Sequence, residues 1–432
     1  MNLLRIMLLT VVWALSVVPA TAQTNDSIGW RNVFKEPQLA SVIETALEHN
    51  ADIRTANLNV EQAEAQLRAA RLAFLPSLTL GAEGNIQKTK GMDAQKTYNI
   101  PLTMQWELDL AGRLRGEKRS AVARYLSTAE TEQATKLQVI AAVASSYYTL
   151  VMMDKQLEVT RQNVENARQT LETIEAMKEV GLQNEGAVSQ ARAAWLSVTA
   201  QEKTLMQQIK AAENAMMVLV GRELDKTVLG ALTDAQIAIE PAQSYPLSTL
   251  AHRPDVKANE YALKAQIAQV SVARAAFYPQ LTITASAGWT NNLGEIVNPG
   301  KILLNAIGSL VQPLFNKGQN RANLRVAKAK QEQALVAFNQ SLLTAGAELS
   351  DALTACQLSE ERMKLRKDEV AAAGRAYKVS RELMEHGSAT YLEVLTAQQS
   401  LLQSELSMAQ EVLDLIQGKI NLFKALGGKI QK

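Results

Sequence analysis

The sequence has almost nothing with which to perform covalent or redox chemistry. Cysteine occurs once, at Cys356, which excludes an intramolecular disulfide and any multi-cysteine metal site. Histidine occurs three times, at His49, His252 and His386, too sparsely for a histidine-built centre. No HExxH, no phosphate-cradling GxxxxGK and no nucleophile elbow is present. An enzyme is therefore not expected, nor a cofactor or resident metal. Neither sign of charge prevails, with 45 basic against 43 acidic residues, so no nucleic acid or other polyanion partner is implied. Only ten prolines punctuate 432 residues, which leaves room for long unbroken helices.

Long apolar runs are also missing, except at the start. Arg5 precedes the apolar stretch Ile6 to Val18, and Ala20-Thr21-Ala22 is a small-x-small cleavage site before Gln23. The stretch is shorter than the ~20 residues that a spanning helix needs. Residues 1–22 are thus read as a signal peptide, a single membrane anchor being the alternative. No cysteine follows the cleavage site, so a lipid anchor is not expected.

What is present is a duplication. Ala65 to Ala82 reads AQLRAARLAFLPSLTLGA, and 203 residues later Ala268 to Ala285 reads AQVSVARAAFYPQLTITA, with ten of eighteen positions identical. Each copy is helix-like before its proline and alternating after it, so Pro76 and Pro279 mark helix-to-strand junctions. Three turn glycines, Gly112, Gly181 and Gly221, recur 206 residues on as Gly318, Gly387 and Gly427. The chain divides into a first repeat at 23–221, a link at 222–246, a second repeat at 247–428 and a tail at 429–432. Each repeat is read as helix, β-hairpin, long helix, helix.

Within the first repeat, Gln38 to Ala73 reads as one helix, followed by a strand from Pro76. The return strand alternates most clearly. Tyr98, Ile100, Leu102, Met104, Trp106, Leu108 and Leu110 share one face, opposite Asn99, Pro101, Thr103, Gln105, Glu107 and Asp109. In the second repeat Leu247 to Ala276 reads as helix, and Leu281, Ile283, Ala285, Ala287 and Trp289 mark a strand face. Ile302 to Phe315 alternates too poorly to assign its facing. The helices Gly112 to Lys178 and Gly318 to Glu385 are each about 100 Å long at 1.5 Å per residue.

Four such strands are long enough to cross a hydrocarbon layer when tilted, but too few to close a barrel. An open edge in lipid leaves backbone groups unpaired at several kcal/mol each, so a membrane role requires several chains to share one barrel. The expected class is mainly α with membrane β, built from two internal repeats. A non-transport coiled-coil structural or adhesive envelope protein is the alternative that the helical content permits.

The doubled plan, the RxxFxPxL spacing at Arg71 and Arg274, LFNKGQNRANL at Leu314 to Leu324 and YLEVLTAQQSL at Tyr391 to Leu401 resemble the TolC-type outer membrane efflux proteins. The resemblance spans the mature chain. It implies a homotrimer in the outer membrane of a Gram-negative bacterium, with a shared twelve-stranded transmembrane β-barrel continued as an α-helical barrel into the periplasm. Its implied partners are outer membrane lipid, a periplasmic adaptor and an inner-membrane pump of the RND type. The function implied is passive conduction of drugs, toxic compounds or metal ions outward. Tyr98, Ile100, Leu102, Met104 and Trp106 would then face lipid. The turns Gly181-Leu182 and Gly387-Ser388 would form the tip where the adaptor docks. Glu393 and Thr396 fall where members of the family carry two acidic gate rings, so here one ring lacks its charge. A solvated helix glutamate is the plainer alternative for Glu393.

Overall fold

A computed structural model of the chain describes residues 29–88, 90, 94–222, 237, 239, 245, 247–291, 301–386 and 388–428. The expected signal peptide, most of the link 222–246, the tail 429–432 and Gly387 lie outside the described residues. The first half runs α1 (Trp30–Val33), α2 (Pro37–His49), α3 (Ala51–Leu72), β1 (Ser77–Leu80), β2 (Glu83–Gln87), β3 (Gln95–Leu108), α4 (Arg113–Glu179) and α5 (Glu185–Val220). After a 3₁₀ turn at Leu247–His252 come α6 (Pro254–Ala275), β4 (Gln280–Asn291), β5 (Lys301–Val311), α7 (Gln319–Glu385) and α8 (Tyr391–Ala425).

Helices α4 and α7 have 67 residues each, and each starts after a left-handed glycine, Gly112 (φ 79°) or Gly318 (φ 80°). Near the strands, α3 packs on α4, α4 on α6 and α6 on α7; towards the far end α5 and α8 flank α4, and α8 also packs on α7. Two four-helix layers thus share the long helices. Between them lies the main core, where Trp30, Phe34, Ile43, Ile140, Tyr147, Ile420 and Phe423 are buried. Phe34 meets Phe423 edge-on at 5.4 Å, and Tyr147 donates to Glu36 Oε1 at 2.7 Å. Burying each such apolar side chain stabilises the fold by about 1.5–3 kcal/mol. The middle of α4 reads as apolar on all sides because α2, α5 and α8 all pack there.

Four expectations need correction. The helix expected over Gln38 to Ala73 is broken at Asn50, whose ψ of 132° is extended. The Asn50 carboxamide accepts from the Asp52 and Ile53 amides and donates to the Leu219 carbonyl at 2.7 Å, so it starts a new helix instead of continuing the old one. The helix expected from Leu247 likewise begins only at Pro254, a proline in its first turn.

The strand after Pro76 is split into β1 and β2, without loss of register: Ser77 faces Gln105 and Glu83 faces Asn99. The gap lies opposite Pro101, which has no N–H to return to Gly81, although Gly81 still donates to the Pro101 carbonyl at 2.9 Å. On its other side Pro101 faces Gly288, where a Cβ would lie 2.4 Å from the Ile100 carbonyl oxygen. Glycine on both flanks lets a proline sit in a central strand.

Register also assigns the strand whose alternation was unreadable. It ends at Val311, short of Phe315. Leu304, Ala306 and Leu310 pair with Ala287, Ala285 and Leu281 and share their face, while Ile307 and Val311 lie on the other.

Candidate functional site

The sheet carries one continuous apolar face. Leu78 and Leu80 pair with Met104 and Leu102, Trp106 with Ile283, Ile100 with Trp289 and Ala287 with Leu304, so apolar residues meet across every strand. Ser77, Thr79, Thr103, Gln105, Thr282, Thr284 and Ser286 fill the opposite face. Leu80 is 71% exposed and Leu304 77%, so this apolar surface has no cover within the chain. Strand order is β1–β3–β4–β5, with β2 continuing beside β3, which leaves β1/β2 and β5 as the sheet's two edges. Tyr98, Ile100, Leu102, Met104 and Trp106 all occupy positions on the apolar face.

At the helix-bearing end of the sheet the two junctions are held differently. Trp106 Nε1 donates to the Phe74 carbonyl at 2.9 Å, and Asn320 Nδ2 to the Ala276 carbonyl at 2.8 Å. Pro76 and Pro279 immediately precede β1 and β4; the helices have already ended at Leu72 and Ala275. The prolines thus set where extended backbone begins. Asp109 caps α4 by accepting from the Leu114 and Arg115 amides, and Arg113 bridges Glu107 and Glu117. Around this end Leu75, Leu110, Tyr278, Leu314 and Phe315 are exposed.

At the opposite end α4 turns into α5. Gly181 has φ 78° and donates to the Lys178 carbonyl, and Leu182 donates back to Met177 at 2.8 Å. A left-handed residue that releases two backbone donors in this way is most easily glycine. Ser388 makes the matching bond to the Leu383 carbonyl at 2.8 Å. Leu171, Ile174, Val188, Met384, Tyr391 and Val394 pack the two turns together, and burial pushes the Tyr391 hydroxyl above its ordinary pKa. Leu182 is exposed, and with Gln183, Asn184, Ala389 and Leu392 it lines an open groove of about 580 Å³.

Glu393 is exposed on the first turn of α8 and takes part in a capping box: it accepts from the Thr390 amide at 3.1 Å while the Thr390 hydroxyl accepts from the Glu393 amide. It makes no ion pair among the described residues. Its charge is partly balanced by the positive end of the helix. The Thr-x-x-Glu spacing that signals this box is visible in the sequence at Thr390 to Glu393. Thr396, one turn on, is exposed and bonds back to the Leu392 carbonyl at 2.8 Å. The two residues share the exposed side of α8.

Sequence reasoning missed Arg253. Its side chain is 4% exposed and bonds to Asp255 Oδ2 at 2.7 Å, Glu348 Oε2 at 2.6 Å and the Ala425 carbonyl at 3.3 Å. It thereby ties α6, α7 and the end of α8 together. In the duplication His252-Arg253-Pro254-Asp255 aligns with His49-Asn50-Ala51-Asp52, and Ala425 with Leu219. Asn50 and Arg253 make the same kind of bond, to the last carbonyls of α5 and α8. That alignment was the available signal.

Among the described residues no group of histidine, cysteine, aspartate and glutamate is placed to hold a metal ion. Cys356 is buried, and burial raises its thiol pKa. The arrangement has an apolar sheet face, open sheet edges and a tip of packed turns.

Comparison with known proteins accounts for these features together. The model of a family described as outer membrane efflux protein matches residues 42–222 and 246–428. The chain is 31% identical over 418 residues to the probable efflux pump outer membrane protein SepC of Pseudomonas putida, covering 94% of this chain and 87% of that one. It is 30% identical over 425 residues to the cation efflux system protein CusC of Escherichia coli, covering 95% and 90%. A crystal structure of CusC superposes with a TM-score of 0.88 at 28% identity, over 94% of this chain and 96% of that one. The open-state MtrE outer membrane channel of Neisseria gonorrhoeae gives 0.85 at 28%, over 93% and 91%. The family match, taken with the doubled sheet-and-helix plan, establishes that the chain belongs to the outer membrane efflux protein family.

Proposed function

We infer that this chain is the outer membrane channel of a tripartite efflux system: a passive duct through which a periplasmic adaptor and an inner-membrane pump of the RND type discharge small molecules. The observation that carries the reading is the uncovered apolar face of a sheet with two open edges. In hydrocarbon such edges must pair, and four strands are half of the eight that the smallest membrane barrels use. Three copies joined edge to edge give twelve strands and, through the matching helix order, a twelve-helix tube. The two repeats would form two similar segments of that wall. The exposed Leu75, Tyr278 and Phe315 suit the boundary between lipid and periplasm. Export with cleavage before Gln23, and no lipid anchor, completes the reading, since the only cysteine is buried in α7.

Chemical cross-linking and native mass spectrometry of the detergent-solubilised protein test the assembly. A trimer that migrates as a single band until boiled is expected; a stable, folded, water-soluble monomer would overturn the reading. The turns Gly181-Leu182 and Gly387-Ser388 are proposed as the adaptor's docking tip, and exposed Leu182 and its groove support this.

Glu393 and Thr396 are proposed to line the periplasmic constriction, one carboxylate ring beside an uncharged one. Three carboxylates around one axis favour cations in the opening. In planar bilayers the cation preference should fall in Glu393→Gln. Glutamine serves in a capping box as glutamate does, so the helix start survives the change. Thr396→Asp should add a second ring and strengthen block by multivalent cations from the periplasmic side. An unchanged reversal potential in Glu393→Gln would return Glu393 to a capping role alone.

A further inference from the structure

We propose that an open groove between α4 and α6, just beyond the barrel, binds an anionic phospholipid of the inner leaflet of the outer membrane; this rests on the membrane reading above. The groove has a volume of about 550 Å³, and Phe74, Val122, Tyr261 and Ile267 supply its apolar walls. Four cations line it. Arg115 is held by Asp109 at 3.0 Å and Lys264 by Glu260 at 2.6 Å. Lys118 and Arg119 are exposed and make no ion pair among the described residues; the Lys118 ammonium stands 5.9 Å from the centre of the Phe74 ring. Two uncommitted positive charges over an apolar trough match a phosphate joined to an acyl glycerol.

Helix geometry puts the groove on the lipid side of the wall. Arg113 grips Glu107, which lies on the polar face of β3, so Arg113 and Glu117 mark the luminal side of α4. At 3.6 residues per turn Lys118, Arg119 and Val122 lie roughly 140–240° around the helix from Arg113, on the side of the sheet's apolar face, while Arg115 in the first turn reaches back to Asp109 just past the end of β3. Continuity is direct: Trp106, on that face, donates to the Phe74 carbonyl, and the Phe74 ring lines the groove. Depth agrees too. Lys118 and Arg119 lie about 8 Å along α4 from its start, against a headgroup layer of roughly 5–8 Å on each side of the hydrocarbon. Because α4 and α6 are the inner pair of their layer, joining chains through α3 and α7 leaves the groove open.

The test uses the whole oligomer in mixed micelles with equal amounts of phosphatidylglycerol and phosphatidylcholine, read by native mass spectrometry, beside insertion into phosphatidylcholine liposomes. The wild type should retain phosphatidylglycerol preferentially. The double variant Lys118→Gln/Arg119→Gln should still insert but hold that lipid about thirtyfold more weakly, roughly fivefold for each cation near an anionic surface. Should the double variant misfold, Lys118→Gln alone carries the test, with a loss of about fivefold. Any of three results overturns the site: no preference in the wild type, an unchanged preference in the variant, or displacement of the lipid by excess inorganic phosphate. Normal insertion with no lipid preference sinks the site alone, whereas failure of the wild type to enter liposomes sinks the membrane reading and the site with it.

Discussion

Leu102→Arg should keep the protein out of the bilayer, while Thr103→Arg, one residue away, should not. Leu102 lies near the middle of β3 between Leu80 and Ala287, on the face where every neighbouring strand is apolar. A charged side chain at the midplane of a barrel's lipid face costs about 2–4 kcal/mol per chain, and a symmetric assembly would pay it in each copy. Met104→Arg should behave similarly, since Met104 pairs with Leu78 and Ala285. Thr103 pairs with Thr79 and Ser286, so an arginine there would enter a polar, hydrated interior. The measurement is the fraction of refolded protein that floats with liposomes and resists boiling-free gel dissociation. Equal insertion of Leu102→Arg and Thr103→Arg would mean that lipid does not meet this face.

The large features were legible because each has a strong local cause. No proline interrupts Arg113 to Glu179 or Gln319 to Glu385, and glycine stands at both starts, so helix lengths could be read almost to the residue. Strand β3 alternates from Tyr98 to Leu108, apolar on one side and largely polar on the other. The facing of β5 was not legible, since Ile307 and Val311 put apolar residues on the polar side and only register against β4 resolves the pattern. The break at Asn50 was missed for a different reason. Asparagine is tolerated inside a helix pattern, and what makes it a cap is a partner 169 residues away, the Leu219 carbonyl. The aligned Pro254, which must open a helix, carried that information in the other repeat. At the tip the Thr390–Glu393 box is readable from its Thr-x-x-Glu spacing.

Arg253→Ala should be the most damaging single change outside the membrane face. Arg253 is buried and bonds to three elements at once: Asp255 at the start of α6, Glu348 on α7 and the Ala425 carbonyl at the end of α8. Removing one partner of a buried charge cluster costs about 3–5 kcal/mol when the rest stays buried. Here the side chains of Asp255 and Glu348 are 45% and 40% exposed, so water can take over much of their hydration, and a loss of about 2–3 kcal/mol is expected. Asn50→Ala, at the aligned position, removes a neutral cap and should cost only about 1 kcal/mol. The pH dependence has a definite sign. Burial pushes the Asp255 carboxyl up, but the hydrogen bonds and charge of Arg253 outweigh it and hold the group below the usual carboxylate range. A carboxyl whose folded pKa lies below its unfolded value contributes its stability in full above the unfolded pKa of about 3.9, and loses it as pH falls through the folded one. The gap in denaturation midpoint between wild type and Arg253→Ala should thus be constant near neutral pH and narrow only in acid. Arg253→Lys should recover part of the loss, since an ammonium reaches one carboxylate but cannot fork between two. If Arg253→Ala unfolds at the wild-type midpoint at neutral pH, the end of α8 is held by the apolar core around Phe423 alone, and the Arg253 cluster contributes nothing to the joint.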